Sequence, residues 1–176
     1  TSRSVDESLF AEVMPGVLHI DYTLKRLRRW MRADCRSAGL HFLPASARVV
    51  YQPLGVVGII VPFNYPVNLS MLPLVAALAA GSRVMLKMSE LTPRTAALVE
   101  AMLRKSFAED HIAVVTGEAD VAAAFARLPF DHLLFTGSTP IGKRVMRAAA
   151  ENLTPVTLEL GGKSPAIIAD DIPLED

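Results

Sequence analysis

From residue 49 onward the apolar residues fall into short runs separated by polar turns, and the runs alternate between two textures. Residues 56–61 form a β-branched run broken only by Gly58, as in a strand buried on both faces. Residues 83–86, 112–115, 132–135 and 156–160 repeat that texture, and residues 166–169 offer a further strand. The intervening segments have helical spacing. One covers residues 69–80 and closes at Gly81, where a left-handed cap is favoured. Another covers 94–107 and has Pro93 in its first turn. Residues 120–127 and 141–150 complete the set. Strand, helix, strand, repeated four times, predicts an α/β fold with a doubly wound, Rossmann-like parallel sheet. Ligands of such sheets lie beyond the carboxyl ends of the strands. The loops to inspect are therefore 62–66, 87–92, 116–119, 136–142 and 159–163, and every polar motif of interest falls in one of them.

The first 48 residues read differently. Ser4 and Glu7 form a capping box, which predicts a helix from Val5 that Pro15-Gly16 would end. A second helix follows, with Val17, Ile20, Leu24, Leu27 and Met31 on one apolar stripe. Lys25, Arg26, Arg28, Arg29 and Arg32 occupy its other faces and read as a solvated basic surface. No aromatic series is interleaved as a nucleic-acid site would require. Two units are expected: a helical segment over 1–48, reaching the start of a strand, and a dinucleotide-binding domain over 49–176.

Charge and composition narrow the field. The 18 basic and 18 acidic residues cancel, so no global attraction to nucleic acid or an anionic membrane is expected. Cys35 is the sole cysteine, which rules out a disulfide framework, and a lone thiol fits a reducing, cytoplasmic setting. The four histidines lack ligand spacing, so no metal is expected. The stretch TSRSVDESLF has no basic region followed by an apolar run, so no signal peptide is expected from it. The apolar region 54–80 is interrupted by Pro62, Asn64, Pro66, Asn68 and Ser70, which leaves runs too short to span a bilayer.

Each motif admits a structural and a chemical role. Gly137 to Arg144, GSTPIGKR, nearly matches a phosphate-binding loop, but Arg144 stands where a magnesium-binding hydroxyl belongs. A pyrophosphate seat without triphosphate machinery, or a helix merely capped by Ser138 or Thr139, are the other readings. The G-x-G-x-x-G fingerprint is absent, since Gly55 and Gly58 lie before and inside the first strand. Lys87 and Glu90 follow the second strand, where ribose-binding groups sit, or are a pair of surface charges. Asn64 in PFNYP could donate to a developing oxyanion or simply satisfy a turn. Glu159 lies in an apolar strand before Gly161-Gly162. Partial desolvation there suits a general base, and an ion pair with Lys163 is the alternative. Cys35 reads as an ordinary helix cysteine.

Taken together, PLGVVGIIVPFNYP, AALAAGSRVMLKMSELTP, VVTGE, FTGSTPIGKRVM and TPVTLELGGKSP resemble the aldehyde dehydrogenase superfamily, in its order, from about Tyr51 to Asp176. NYP in place of NFP is similar to the branch acting on hydrophobic and aromatic aldehydes, with KMSELTP and the stretch LRRWMR to VVG similar to coniferyl aldehyde dehydrogenases. The resemblance implies NAD(P)-dependent oxidation of an aldehyde to its acid through a cysteine thiohemiacetal and thioester. It implies Asn64 as oxyanion donor and Glu159 as the base that activates water. It implies cofactor contacts from Pro62, Phe63, Lys87, Glu90, Gly117, Gly137, Ser138, Ile141, Gly142, Leu160 and Gly161. NAD and NADP both remain open, with Glu90 disfavouring a 2′-phosphate. The resemblance also implies a homodimer or larger homo-oligomer, partly through a strand over residues 47–52. It places the nucleophilic cysteine beyond Asp176, so a catalytic domain is expected to follow and the 176 residues alone are expected to be inactive. A phosphate-loop nucleotide binder and a non-catalytic dinucleotide-binding module are the rival functions.

Overall fold

The computed structural model describes residues 3–167. Two helices, α1 (Val5–Ser8) and α2 (Met14–Trp30), are joined by a π-helical segment, Leu9–Val13. Two three-residue strands follow, β1 (Asp34–Arg36) and β2 (Ala47–Val49), paired antiparallel. The rest alternates: β3 (Val56–Ile60), α3 (Asn68–Ala79), β4 (Arg83–Lys87), α4 (Pro93–Ser106), β5 (Ile112–Val115), α5 (Ala119–Phe125), β6 (His132–Gly137), α6 (Thr139–Ala150) and β7 (Val156–Leu160).

Strands β3 to β7 form one parallel sheet in the order β5-β4-β3-β6-β7. The chain starts at the centre, winds outward to β5, then crosses back to β6. The switch point therefore falls between β3 and β6, where Ile60 pairs with Phe135. One core, with Ile59, Leu74, Leu86 and Val99, lies on the α3–α4 face. A second, with Phe125, Phe130, Leu133 and Val145, lies on the α5–α6 face. Gly58 is needed at the sheet centre because a methyl there would come within 2.6 Å of the Phe130 ring. The expected doubly wound sheet is thus present. The strand expected over 166–169 is absent at 166–167, and its remainder lies outside the described residues.

Three expectations for the N-terminal segment are corrected. Pro15-Gly16 does not end a helix, because Pro15 falls in the first turn of α2. The π-helical turn just before it carries the hydrogen-bond shift, Met14 N–H donating to Leu9 carbonyl, so the missing proline N–H costs little. Of the expected apolar stripe, Val17, Ile20, Leu24 and Met31 are exposed. The buried positions are Glu12, Gly16 and Thr23, on the side where a methyl at Gly16 would touch Met71 of α3. Cys35 is not in a helix: it is the middle residue of β1, opposite Arg48, and is exposed.

Candidate active site

The carboxyl ends of β3 and β6 open into a crevice of about 660 Å³ between α5 and α6. That size suits a small-molecule or cofactor site. Pro62, Phe63, Glu90, Gly137, Ser138 and Ile141 all line it, so loops 75 residues apart in sequence meet there. One wall is a stripe of small residues on and just after α5, Ala119, Ala122, Ala123 and Ala126. The opposite wall is Ile141, Val145 and Ala148 of α6. The small residues of the α5 wall leave room for a flat ring, and Arg127, Arg144, Arg147 and Glu151 add charged groups to the lining.

At the floor, β6 passes into α6 with only Ser138 between strand and helix. Ser138 makes no side-chain cap bond, so the first-turn N–H groups of α6 are left uncapped at the crevice. Such a helix end is an anion seat. The cap reading of Ser138 and Thr139 is corrected accordingly. The phosphate-loop reading also falls. A loop that wraps a triphosphate needs several residues of open backbone between strand and helix, and here residues 139–142 are already helical. Gly137 is required for a different reason: a methyl there would come within 2.6 Å of the buried Phe135 ring. At Gly142 a methyl would meet Leu160 Cδ2 at 2.7 Å, so Leu160 reaches back over the start of α6.

Lys87 is not a surface charge. It is the last residue of β4 and 1% exposed. Its Nζ donates to the carbonyls of Met88 and Gly117, each at 2.8 Å, and lies 3.9 Å from Glu90 Oε2. Two of three ammonium donors are therefore spent on backbone carbonyls, and Lys87 itself is not among the residues that line the crevice, where Glu90 is. Gly117, at φ 137°, adopts a backbone geometry that side chains avoid, and this presents its carbonyl to the lysine. Burial pulls the Lys87 pKa below its ordinary value of 10.5, partly offset by Glu90, Glu118 and Asp120. In the window between the lowered pKa and 10.5 the unfolded chain binds the extra proton, so stability rises with pH. Comparing thermal midpoints of wild type and Lys87→Met from neutral to alkaline pH should show that extra rise in the wild type alone. Parallel curves would contradict the burial.

The remaining candidates lie at the same end of the sheet but outside these walls. Asn64 is exposed, and its side chain makes no hydrogen bond among the described residues, so it does not satisfy the turn. The turn is held instead by buried Pro66. Glu159 sits opposite Thr136, one step beyond the Leu158–Phe135 pair. It is exposed and in no salt bridge among the described residues, so neither the Lys163 pair nor the expected desolvation is present. Among the described residues β7 is the edge strand, so Glu159 has a neighbouring strand on one side only. Gly161 is exposed, with open space where a side chain would be. The alanine stripe of α5 is a site feature not anticipated from the motifs, although its spacing of three and four in ADVAAAFA marks a small-residue face. Among the described residues no group of three or more His, Cys, Asp or Glu could hold a metal, and no helix is long and apolar enough to cross a membrane.

A small-residue wall, an uncapped helix N-terminus and a carboxylate line one crevice at the switch point of a parallel sheet, where such folds bind their ligands. The chain belongs to the aldehyde dehydrogenase family, whose model matches residues 1–176. It is 63% identical over its whole length to a Pseudomonas aeruginosa protein described as a probable coniferyl aldehyde dehydrogenase. It is 46% identical, over 99% of the chain, to the coniferyl aldehyde dehydrogenase of a Pseudomonas species. These alignments cover 37% and 36% of the two relatives, so the chain spans little more than a third of their length. Among solved structures it is similar to substrate-bound AldH of Staphylococcus aureus, with a TM-score of 0.88 and 39% identity over 90% of this chain and 35% of that one. It is also similar to a Mycobacterium tuberculosis aldehyde dehydrogenase complexed with NAD+, with a TM-score of 0.76 and 36% identity over 93% and 33%.

Proposed function

We propose that the protein oxidises an aromatic or hydrophobic aldehyde of the coniferyl aldehyde kind to its carboxylic acid, with NAD or NADP held in the β3–β6 crevice. The observation that carries this reading is the crevice itself. Its small-residue wall, uncapped helix end, Glu90 and Phe63 line one cavity, and the next residue, Asn64, has no side-chain hydrogen bond among the described residues. The adenine would occupy the slot between α5 and α6, the ribose hydroxyls would meet Glu90, and the pyrophosphate would meet the α6 N-terminus. Bound there, the nicotinamide supplies the hydride acceptor.

The chain's own residues would act on the aldehyde carbon and on water. The Asn64 side-chain N–H would donate to the oxygen that becomes negative when a thiolate adds to the carbonyl. Glu159 would take a proton from the water that cleaves the resulting thioester, giving the acid and returning the thiolate. β3 and β7 are separated by β6 alone, so their ends stand about two strand spacings, roughly 10 Å, apart. That gap leaves room for the reacting carbon between them. Cys35 is not placed to be the nucleophile, since it lies on β1, outside the parallel sheet and away from the crevice walls. In a protein of the relatives' length the thiolate would come from sequence beyond these residues. Cys35→Ser in the whole-length protein is therefore expected to leave kcat within about twofold of wild type. Loss of turnover would mean the nucleophile had been misplaced.

Glu90 would favour NAD, because a carboxylate in the crevice lining would repel a 2′-phosphate, and Lys87 has committed two of its donors to backbone carbonyls. Glu90→Gln should shift the ratio of NAD to NADP dissociation constants toward NADP by at least about tenfold. An unchanged ratio would remove Glu90 from the ribose site. Assembly as a homodimer or larger oligomer, in the cytoplasm, belongs to the same proposal. It is supported by the exposed β1–β2 pair and exposed Val49, Val50 and Tyr51 beside it. The function is tested with the whole-length protein by product analysis after incubation with coniferyl aldehyde and NAD. Equimolar acid and reduced cofactor are expected, with higher kcat/KM than for a short aliphatic aldehyde. No acid from any aldehyde would refute the proposal.

A further inference from the structure

One buried charged group takes no part in the crevice. Glu12, in the π-helical segment, is 6% exposed. Its Oε2 accepts from the backbone N–H groups of Val67 at 2.8 Å and Asn68 at 3.0 Å. Its Oε1 accepts from Arg3 Nη1 at 3.2 Å. Val67, the N-cap residue of α3, has no side chain able to cap. The carboxylate of a distant helix therefore does the capping, bridging two successive amides where the helix dipole also favours negative charge. The Arg3 guanidinium, held by Glu12 and by Glu7, lies 4.0 Å over the ring of Tyr65. A buried carboxylate is costly unless its oxygens are paired, and here both oxygens have partners.

These contacts converge on one loop. Tyr65 immediately follows Asn64, and the two clamped amides follow Pro66. On its other side the loop is tied to the sheet, where Val61 N–H donates to the Lys87 carbonyl at 3.0 Å. Between those fixed points Asn64 is exposed and its side chain has no partner among the described residues, so its direction is set by the backbone alone. We propose that Glu12, braced by Arg3, is a positioning residue that aims the Asn64 amide at the reacting oxygen. The proposal rests on the oxyanion role assigned to Asn64 above.

The test uses the whole-length protein and the single-turnover rate constant for reduced-cofactor formation, at saturating coniferyl aldehyde and NAD. That constant does not depend on how much of the enzyme is folded. Glu12→Ala should lower it at least about tenfold, as misplacement of a reacting group does. Glu12→Gln, which keeps one accepting oxygen, should fall between. The NAD dissociation constant, set by other loops, should stay within about twofold. In an Asn64→Ala background Glu12→Ala should have no further effect, because both act through the same donor. A merely structural role would instead multiply the two losses. An unchanged rate constant in Glu12→Ala, or multiplying losses in the double variant, overturns the proposal while leaving the site reading intact. If Asn64→Ala itself has no effect, the oxyanion reading fails and this inference fails with it. Should both Glu12 variants fail to fold, Arg3→Met removes only the brace, and an unchanged rate constant there overturns the proposal.

Discussion

Asn64→Ala in the whole-length protein is expected to lower kcat by roughly 10²–10³-fold, the usual cost of removing one oxyanion donor. The side chain is free of hydrogen bonds among the described residues, so its removal breaks no structural contact. The thermal midpoint and the NAD dissociation constant should therefore be close to wild type. Loss of an interaction made only in the transition state appears equally in kcat and in kcat/KM. A rise in KM with kcat preserved would show that Asn64 binds the ground-state aldehyde and does not stabilise the developing charge. A collapse of stability would show that it is part of the loop's scaffold.

Glu159→Gln is expected to separate the two halves of the reaction. Thiolate addition and the first equivalent of reduced cofactor need no base at this position, whereas hydrolysis of the thioester does. The first turnover should proceed near the wild-type rate, and steady-state turnover should fall about 10²-fold or more, in line with loss of a general base. Rapid mixing with a large excess of aldehyde should give one equivalent of reduced cofactor per site, then a slow phase. Trapped acyl-enzyme should be visible as an added mass. Unchanged steady-state turnover would exclude Glu159 as the base. The exposure of Glu159 on the edge strand means that water reaches it freely in this chain.

The parallel sheet was legible because strands buried on both faces carry little but β-branched and aliphatic residues, as in Val56–Ile60. The site was legible as a set of loops, since winding the chain both ways from β3 brings every carboxyl end to one side. What the sequence hid was contact between distant segments. The burial of Lys87 depends on the carbonyl of Gly117, 30 residues on. The exposure of Glu159 depends on β7 being an edge strand, which its own apolar composition does not reveal. Glu12 reads as an ordinary helix glutamate until α3 is brought against it. Cys35 reads as a helix residue in the sequence because β1 and β2 are three residues long, too short for an alternating pattern to register. The apolar stripe of α2 marked a real face, but periodicity reports only that a face is apolar, not what covers it.

The central claim is that the crevice between β3 and β6 holds a dinucleotide with its reactive end toward Asn64. A crystal structure of the whole-length protein soaked with NAD tests it directly. Adenine is expected between the α5 alanine stripe and Ile141, pyrophosphate at the Thr139 end of α6, and the nicotinamide ring beyond Phe63 within reach of both Asn64 and Glu159. NAD bound elsewhere, or bound in the crevice with the nicotinamide directed away from Asn64, would contradict the claim.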